Sequence, residues 1–402
     1  MKKLSPSISG PVITLKNKKL GFEVLQTFDT LVVSLIMGES SGQNLKELIE
    51  HKSESSIHIL HLPDVIFLEI FSRINFTDLC MCSRVCRRWH FLAKDYTLKK
   101  KITIKKPLRN DLFLSLIQHH FTHFLEEFKI LKARGQESHM SVSQNVLWKL
   151  TNKSINLKKL TLMWCSLTSA SLKDLPSSLE HLSIRGSEIF PDVFFGSKPN
   201  LHAPNLVCLD IGGVSNFLTS QDLSVFSTLK SLKALYLEGC FRVNNGGIES
   251  IIDILPQLEV LDVEGTDISN EGAILILNYC CNIRDLFLGH TVVDDLALSI
   301  VDMQSLSHLS SFCVRNTRIS SSALHAFLIH HLTSHKLIVR ASFDCSGSCK
   351  CFNTAEIPIS FEIDNAFPFL AEDKREKNVQ KNMNGRNENW EPVQGWGCRR
   401  YP

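Results

Sequence analysis

Three groups of side chains in this chain have the types needed to bind a metal or move a proton. Cys345, Cys349 and Cys351, with His335, offer three thiolates and an imidazole, the donor set of a structural zinc. Their spacing is not the pair of short chelate loops such a site uses, so the expectation is incidental cysteines and no metal. His119, His120 and His123, and again His330, His331 and His335, could shuttle protons. No acidic or nucleophilic partner stands at a recognisable spacing beside either group. Cys86 could act as a thiol nucleophile, but it falls on an apolar stripe, without the polar surroundings that activate a thiolate. The sequence also lacks a phosphate-cradling glycine loop, a nucleophile elbow and a metalloprotease helix motif. The expectation is therefore no catalytic residue, no metal and no cofactor. The chemistry left to the chain is recognition.

Two sets of residues could carry that recognition. The first is oily and compact: Leu62, Pro63, Ile70, Phe71, Leu79, Val85, Cys86 and Trp89, within the run LPDVIFLEIFSRINFTDLCMCSRVCRRW. Aromatic anchors in such a patch typically dominate an interface, and about half of the eight are expected to be core instead. The second set is acidic and aromatic and widely spread: Asp210, Tyr236, Glu238, Asp262, Glu264, Asp285 and Phe287. It makes a groove only if the fold stacks positions that lie about 26 residues apart in the sequence.

The elements that must position these residues differ in kind. After Pro63, a residue suited to a first helical turn, Ile66, Phe67, Ile70, Phe71 and Ile74 recur at helical spacing. A second helix is expected to open at a Thr77 cap and to carry Leu79, Cys82, Cys86 and Trp89 on one face. About forty residues cannot bury that much apolar surface alone, and the surplus implies a docking face for another protein. Further on, Ile102-Thr103-Ile104 alternates like a short strand. The stretch from Leu112 to Phe128 reads as an amphipathic helix leading into a second strand.

From Leu157 the chain repeats. An apolar trio recurs as Leu157/Leu160/Leu162, Leu179/Leu182/Ile184, Leu206/Leu209/Ile211, Leu232/Leu235/Leu237, Leu258/Leu261/Val263, Ile283/Leu286/Leu288 and Leu309/Phe312/Val314. The starting positions step by 22, 27, 26, 26, 25 and 26 residues, a regularity that chance does not produce. Each unit reads as strand, turn and helix, and its apolar face can hide only against its neighbours, so the units must stack into a curved solenoid. The positions between the buried trio members then line up across strands about 4.8 Å apart on the inner, concave face. Acidic side chains gather at its centre, with Tyr236 and Phe287 between them, which suits a basic or lysine-bearing segment of a partner protein.

Leu62-Pro63, Ile70-Phe71-Ser72, Asp78-Leu79 and Val85-Cys86-Arg87 with Trp89 resemble the F-box, and the units from Leu157 resemble cysteine-containing leucine-rich repeats found behind F-boxes. Together the two resemblances cover about residues 60–342. They imply the F-box/LRR-repeat family, in which the F-box holds a Skp-type adaptor of a cullin-RING ubiquitin ligase and the repeats hold the protein to be ubiquitinated. The chain would then be a non-catalytic substrate receptor. A rival is a non-degradative leucine-rich-repeat scaffold or inhibitor assembled through the F-box.

The expected fold class is α/β: a leucine-rich-repeat horseshoe preceded by a small all-α module. The divisions expected are a poorly ordered leader at 1–56, the helical module at 57–101, the solenoid at 102–342 and a polar, disordered tail at 343–402. With 402 residues, 44% of them hydrophobic, the chain can bury a sizeable core. A formal charge of only +3 argues against binding nucleic acid through phosphate contacts. Thirteen cysteines, many in apolar positions, point to a reducing compartment. With no signal-peptide pattern and no membrane span, the expectation is an intracellular soluble protein of the cytoplasm or nucleus.

Overall fold

A computed structural model describes residues 62–105, 108–131, 140–214, 218–300, 306–331, 337–341 and 359–361. Three short helices come first: α1 (Asp64–Arg73), α2 (Phe76–Cys82) and α3 (Arg87–Leu92). The expected second helix is thus two. Asn75, not Thr77, caps α2 by accepting a hydrogen bond from the Asp78 amide, and Cys86 caps α3 by accepting from the Trp89 amide through sulfur at 3.5 Å. The break puts Cys86 at a helix entrance, off the apolar stripe on which it was expected.

The rest is a solenoid, its strands joined into one parallel sheet in the order β1-β2-β4-β6-β7-β8-β9-β10-β11-β12-β13. These are β1 (Lys101–Ile104), β2 (Glu127–Ile130), β4 (Lys159–Leu162), β6 (His181–Ser183), β7 (Cys208–Asp210), β8 (Ala234–Tyr236), β9 (Val260–Asp262), β10 (Asp285–Phe287), β11 (Ser311–Val314), β12 (Leu337–Ala341) and β13 (Ile359–Phe361). Two more, β3 (Met140–Ser141) and β5 (Cys165–Ser166), pair beside it. On the outer side run α4 (Asn110–His120), α5 (Gln144–Lys153), α6 (Pro191–Phe195), α7 (Pro199–His202), α8 (Asn245–Ser250), α9 (Asn270–Tyr279), α10 (Asp295–Ser299) and α11 (Ser321–His331). Short 3-10 turns at Leu172–Asp174, Asp222–Thr228 and Ile252–Gln257 take part of this layer in the middle units.

The apolar trios sit as the repeat requires. Leu160, Leu162, Leu182, Ile184, Leu209, Leu235, Leu261, Leu286 and Phe312 are all buried in one continuous core. The position three past each trio is buried too, except Thr317, which is half-buried. Where it is threonine it satisfies itself locally: the Thr266, Thr291 and Thr317 hydroxyls donate to the carbonyls of Val263, Leu288 and Val314 at 2.7, 2.6 and 2.8 Å; Ser187 instead donates to the Leu162 carbonyl of the preceding unit at 2.8 Å. After each of seven successive strands from β4 to β11 the backbone turns through a left-handed residue: Trp164, Gly186, Gly213, Gly239, Gly265, His290 and Asn316. At Gly186, φ is +64° and a Cβ would lie 2.6 Å from the Trp164 indole, so the turn and the stacking above it both require glycine.

Helix entrances are stitched between units. Asn245 accepts from the Ser269 amide at 2.9 Å, Asn270 from the Asp294 amide at 2.9 Å, and Asp295 from the Ser320 amide at 2.6 Å. Each first-turn residue thereby satisfies an otherwise orphaned amide at the next unit's helix start.

The sheet runs past the boundary expected at residue 342. β13, within the segment expected to be a disordered tail, pairs with β12 through Leu337↔Ile359 and Val339↔Phe361. The rest of that tail and the expected leader lie outside the described residues, as do Cys345, Cys349, Cys351 and His335. Among the described residues, no group of three or more His, Cys, Asp or Glu could hold a metal ion, and no helix is long and apolar enough to cross a membrane.

Candidate functional site

The helical module is built around an aromatic knot. α1 turns Phe67, Ile70 and Phe71 to one side, and α2 and α3 bring Leu79, Cys82, Trp89 and Leu92 against them. The rings meet edge to face, with centroids 5.4 Å apart for Phe67–Trp89, 5.7 Å for Phe71–Trp89 and 5.9 Å for Phe67–Phe71. The Arg88 guanidinium lies 4.8 Å above the Phe67 ring and donates to Asp64 at 2.6 Å and to the Leu62 carbonyl at 2.5 Å. It thereby pins the entrance segment of Leu62 and Pro63 onto α3.

This arrangement divides the oily set. Ile70, Phe71, Leu79 and Trp89 are core, with Trp89 only 1% exposed, so they present no side-chain surface at the exterior of the module. Leu62, Val85 and Cys86 are half-buried and Pro63 is exposed. The most exposed large apolar side chains of the module are two that sequence reasoning passed over, Val65 at 74% and Phe91 at 78%. Their signal was present: both are apolar but fall off the stripe that the core uses, one on α1 and one on α3.

The module is fastened to the solenoid. Phe76 and Cys80 of α2 pack into the solenoid core rather than their own, and the Phe76 ring meets His120 edge on at 5.2 Å. Tyr96 stacks on Phe124 at 4.7 Å. Burial, with the nearby charges of Lys99 and His119, lowers the His120 pKa. The direct packing expected from the absence of glycine and proline between Trp89 and Ile102 is what the structure has.

On the concave face, the cross-strand register places Thr161, Ser183, Asp210, Tyr236, Asp262, Phe287, Cys313 and Arg340 in one row. Asp285 lies two residues earlier on β10, and Glu238 and Glu264 two residues beyond Tyr236 and Asp262. All seven residues of the acidic and aromatic set therefore share one region, but they are not equally free. Arg185 donates to Asp210 at 3.1 Å and to Glu238, and Asp210 also accepts from the Ser183 hydroxyl at 2.9 Å. Asp210, 5% exposed, is thus an internal partner rather than an open anion. Although burial opposes its charge, Asp210 and Glu238 together raise the Arg185 pKa. Glu264, 2% exposed, accepts from the Cys313 thiol at 2.7 Å.

Asp262 is also buried, at 6% exposure, and its Oδ1 accepts the Glu264 amide at 3.0 Å. Burial first, then the charges of Glu264 and Glu238, push its pKa well above the ordinary carboxylate range. Burial likewise raises Glu264, Tyr236 and Asp285. The Cys313 thiol is pushed up to about 12 by burial and by Glu264, so it stays protonated as the donor in that bond.

The basic end of the face lies on the first strands. Lys101 and Lys129 flank Glu127 at 3.6 and 2.7 Å, and Lys159 follows in register with Glu127.

An F-box-like family model matches residues 59–105, the helical module and the first strand. The chain is 26% identical over 267 residues to F-box/LRR-repeat protein 12 of Homo sapiens, a match that covers 65% of this chain and 80% of that protein. F-box/LRR-repeat protein 5 of Mus musculus is 46% identical over 50 residues, 12% of this chain and 7% of its own length. An internalin from Listeria monocytogenes matches with a TM-score of 0.36 and 20% identity, covering 55% of each chain. The chain thus carries an F-box-like domain followed by a leucine-rich-repeat-type α/β solenoid, and over about two thirds of its length it is similar to F-box/LRR-repeat protein 12.

Proposed function

We propose that this chain is the substrate-recognition subunit of an SCF-type ubiquitin ligase. The helical module docks a Skp-type adaptor and, through it, a cullin-RING assembly, and the concave face of the solenoid holds the protein to be ubiquitinated. The observation that carries this reading is the coincidence of the F-box-like match with a three-helix module that leaves Val65 and Phe91 uncovered and is anchored in the solenoid through Phe76. A patch of large apolar side chains at one end of a packed body is the usual mark of a protein interface.

The mechanism is geometric. The receptor forms no bond with ubiquitin; it raises the effective concentration of the target's lysines near the ligase's ubiquitin-carrying enzyme, and a stiff joint preserves that gain. Anchoring of Phe76 in the solenoid core supplies the stiffness. On the concave face, Glu238 and Asp285, the less buried of the carboxylates, favour a basic segment of the target.

The test is co-purification of the full chain with a Skp-type adaptor and cullin from cells, with target turnover measured alongside. Phe91→Glu and Val65→Asp alter the surface and leave the aromatic knot intact, so each is expected to abolish co-purification while the chain still melts normally. Normal adaptor capture by the double variant would overturn the docking assignment. Capture of targets without any effect on their turnover would favour a non-degradative scaffold.

A further inference from the structure

The outward side of the helical layer changes character along the solenoid. Between Arg242 and Arg315 the sequence has a single lysine or arginine, Arg284, and that side chain pairs with Glu259 at 3.6 Å. Over the same stretch Glu249, Glu271 and Asp295 stand exposed on α8, α9 and α10. None of the three has an ion pair among the described residues. Glu271 accepts from the Asn245 amide group at 3.1 Å and Asp295 from Ser320, and both donors are neutral. These helices therefore hold no cation that meets their charge.

The same surface is apolar between its carboxylates. On α9, Glu271, Leu275 and Tyr279 follow one another at single-turn spacing and lie outside the buried core of Ala273, Ile276 and Leu277. On α10, which packs beside α9, Leu296 and the C-cap Ile300 are again one turn apart, while Ala297 and Leu298 between them are buried. Tyr279, Leu296 and Ile300 are 46%, 53% and 52% exposed. Two neighbouring outward stripes thus present large apolar side chains framed by acids, the composition of a face that another segment covers.

The chain itself carries a segment of the complementary kind. From Lys374 to Pro402 there are seven lysines and arginines against three glutamates, with Trp390, Trp396 and Tyr401 spaced among them. Its reach is sufficient. Among the described residues the last strand is β13, ending at Phe361, three strands beyond β10. The stretch from Phe361 to Lys374 can span about 40 Å when extended. Packed helices lie about 8–10 Å apart, which puts α9 and α10 within about 30 Å of that point. A tether of this length gives the segment an effective concentration that a second copy in dilute solution does not match.

We propose that residues 374–402 of this chain dock on the outward face of α9 and α10. Their aromatic rings cover Tyr279, Leu296 and Ile300, and their cations meet Glu249, Glu271 and Asp295. The contact lies on the side opposite the concave face and leaves that face open. It does not depend on the reading of the chain as a ligase receptor.

The test is zero-length carbodiimide cross-linking of the full chain, dilute and at low salt, in an equal mixture of unlabelled and nitrogen-15-labelled protein read by mass spectrometry. Links from Lys374, Lys377 or Lys381 to Glu249, Glu271 or Asp295 are expected, with both linked peptides carrying the same label. Their yield should fall at least about tenfold in a Tyr279→Ser, Leu296→Ser, Ile300→Ser variant, because the apolar anchors of an interface carry most of its energy. All three side chains are exposed, so this variant should melt as the wild type does. The yield should also drop at about 0.5 M salt, where exposed charges are screened. Absence of these links in the wild type, or a yield unchanged in the triple variant, would overturn the proposal. Links of mixed label would overturn it in favour of a second copy, and links to these carboxylates from lysines within residues 1–61 would overturn it in favour of that segment.

Discussion

Trp89 and Phe91 are two residues apart on α3 and have opposite fates, because two edge-to-face contacts, from Phe67 and Phe71, close over the first while the second faces outward. Truncating a fully buried aromatic costs about 3–5 kcal/mol, more than a module this small can lose and stay folded. Trp89→Ala is therefore expected to unfold the module, seen as loss of amide protection across α1 to α3, and to lose the adaptor only as a consequence. Phe91→Glu should lose the adaptor with melting unchanged. The pair separates structure from recognition, which neither variant does alone.

Asp262 supplies a second prediction at this scale. Its folded pKa is raised, so the folded state holds the proton more tightly than the unfolded chain does. The associated stability is fully present below the ordinary carboxylate value of about 4 and is lost as pH rises through the raised value. Asp262→Asn mimics the protonated form permanently. Its melting temperature should exceed that of the wild type at neutral and mildly alkaline pH, and the gap should close as pH falls toward about 4. Glu264 and Glu238 reinforce this sign and Arg185 opposes it. A gap that widened toward acid would contradict it.

At the scale of elements, the repeat depends on polar stitches as much as on leucines. Asn270 bonds both ways with the next unit: its Oδ1 accepts the Asp294 amide at 2.9 Å and its amide donates to Asp294 Oδ1 at 2.7 Å. Asn270→Ala leaves the helix-start amide of α10 without its partner, and a lost cap of this kind costs about 0.5–2 kcal/mol. Hydrogen exchange should show the loss at α10 and α11 first, with the sheet near β4 unchanged, because direct contacts reach only one or two units along the solenoid. Gly186→Ala should cost more than Asn270→Ala, since left-handed backbone and the Trp164 ring both exclude the methyl group.

For the molecule as a whole, one aromatic side chain joins two cores. Phe76 belongs by sequence to the module and by packing to the solenoid, where it meets His120. Phe76→Ala is expected to uncouple the two bodies, so that a single thermal transition separates into two and the module tumbles independently in relaxation measurements, at a cost of about 3–5 kcal/mol. Adaptor binding by the isolated module should persist while target turnover drops, because proximity is diluted when the joint loosens. Unchanged single-step melting would show that other contacts, such as Tyr96 with Phe124, suffice.

The apolar trios were legible residue by residue because burial on one face of a short strand enforces a period of two, and stacking enforces a common unit length. Four of the eight oily residues and the row through Asp210, Tyr236, Asp262 and Phe287 followed from that periodicity. It could not place the helix break at Cys86 or find the Asn270 stitch. Nor could it show that Arg185 neutralises Asp210 while Asp262 is buried beside Glu264 without such a cation. Periodicity states which way a side chain faces. Whether that side is closed, paired or open depends on neighbours about 26 residues away, and those meet only when the solenoid winds.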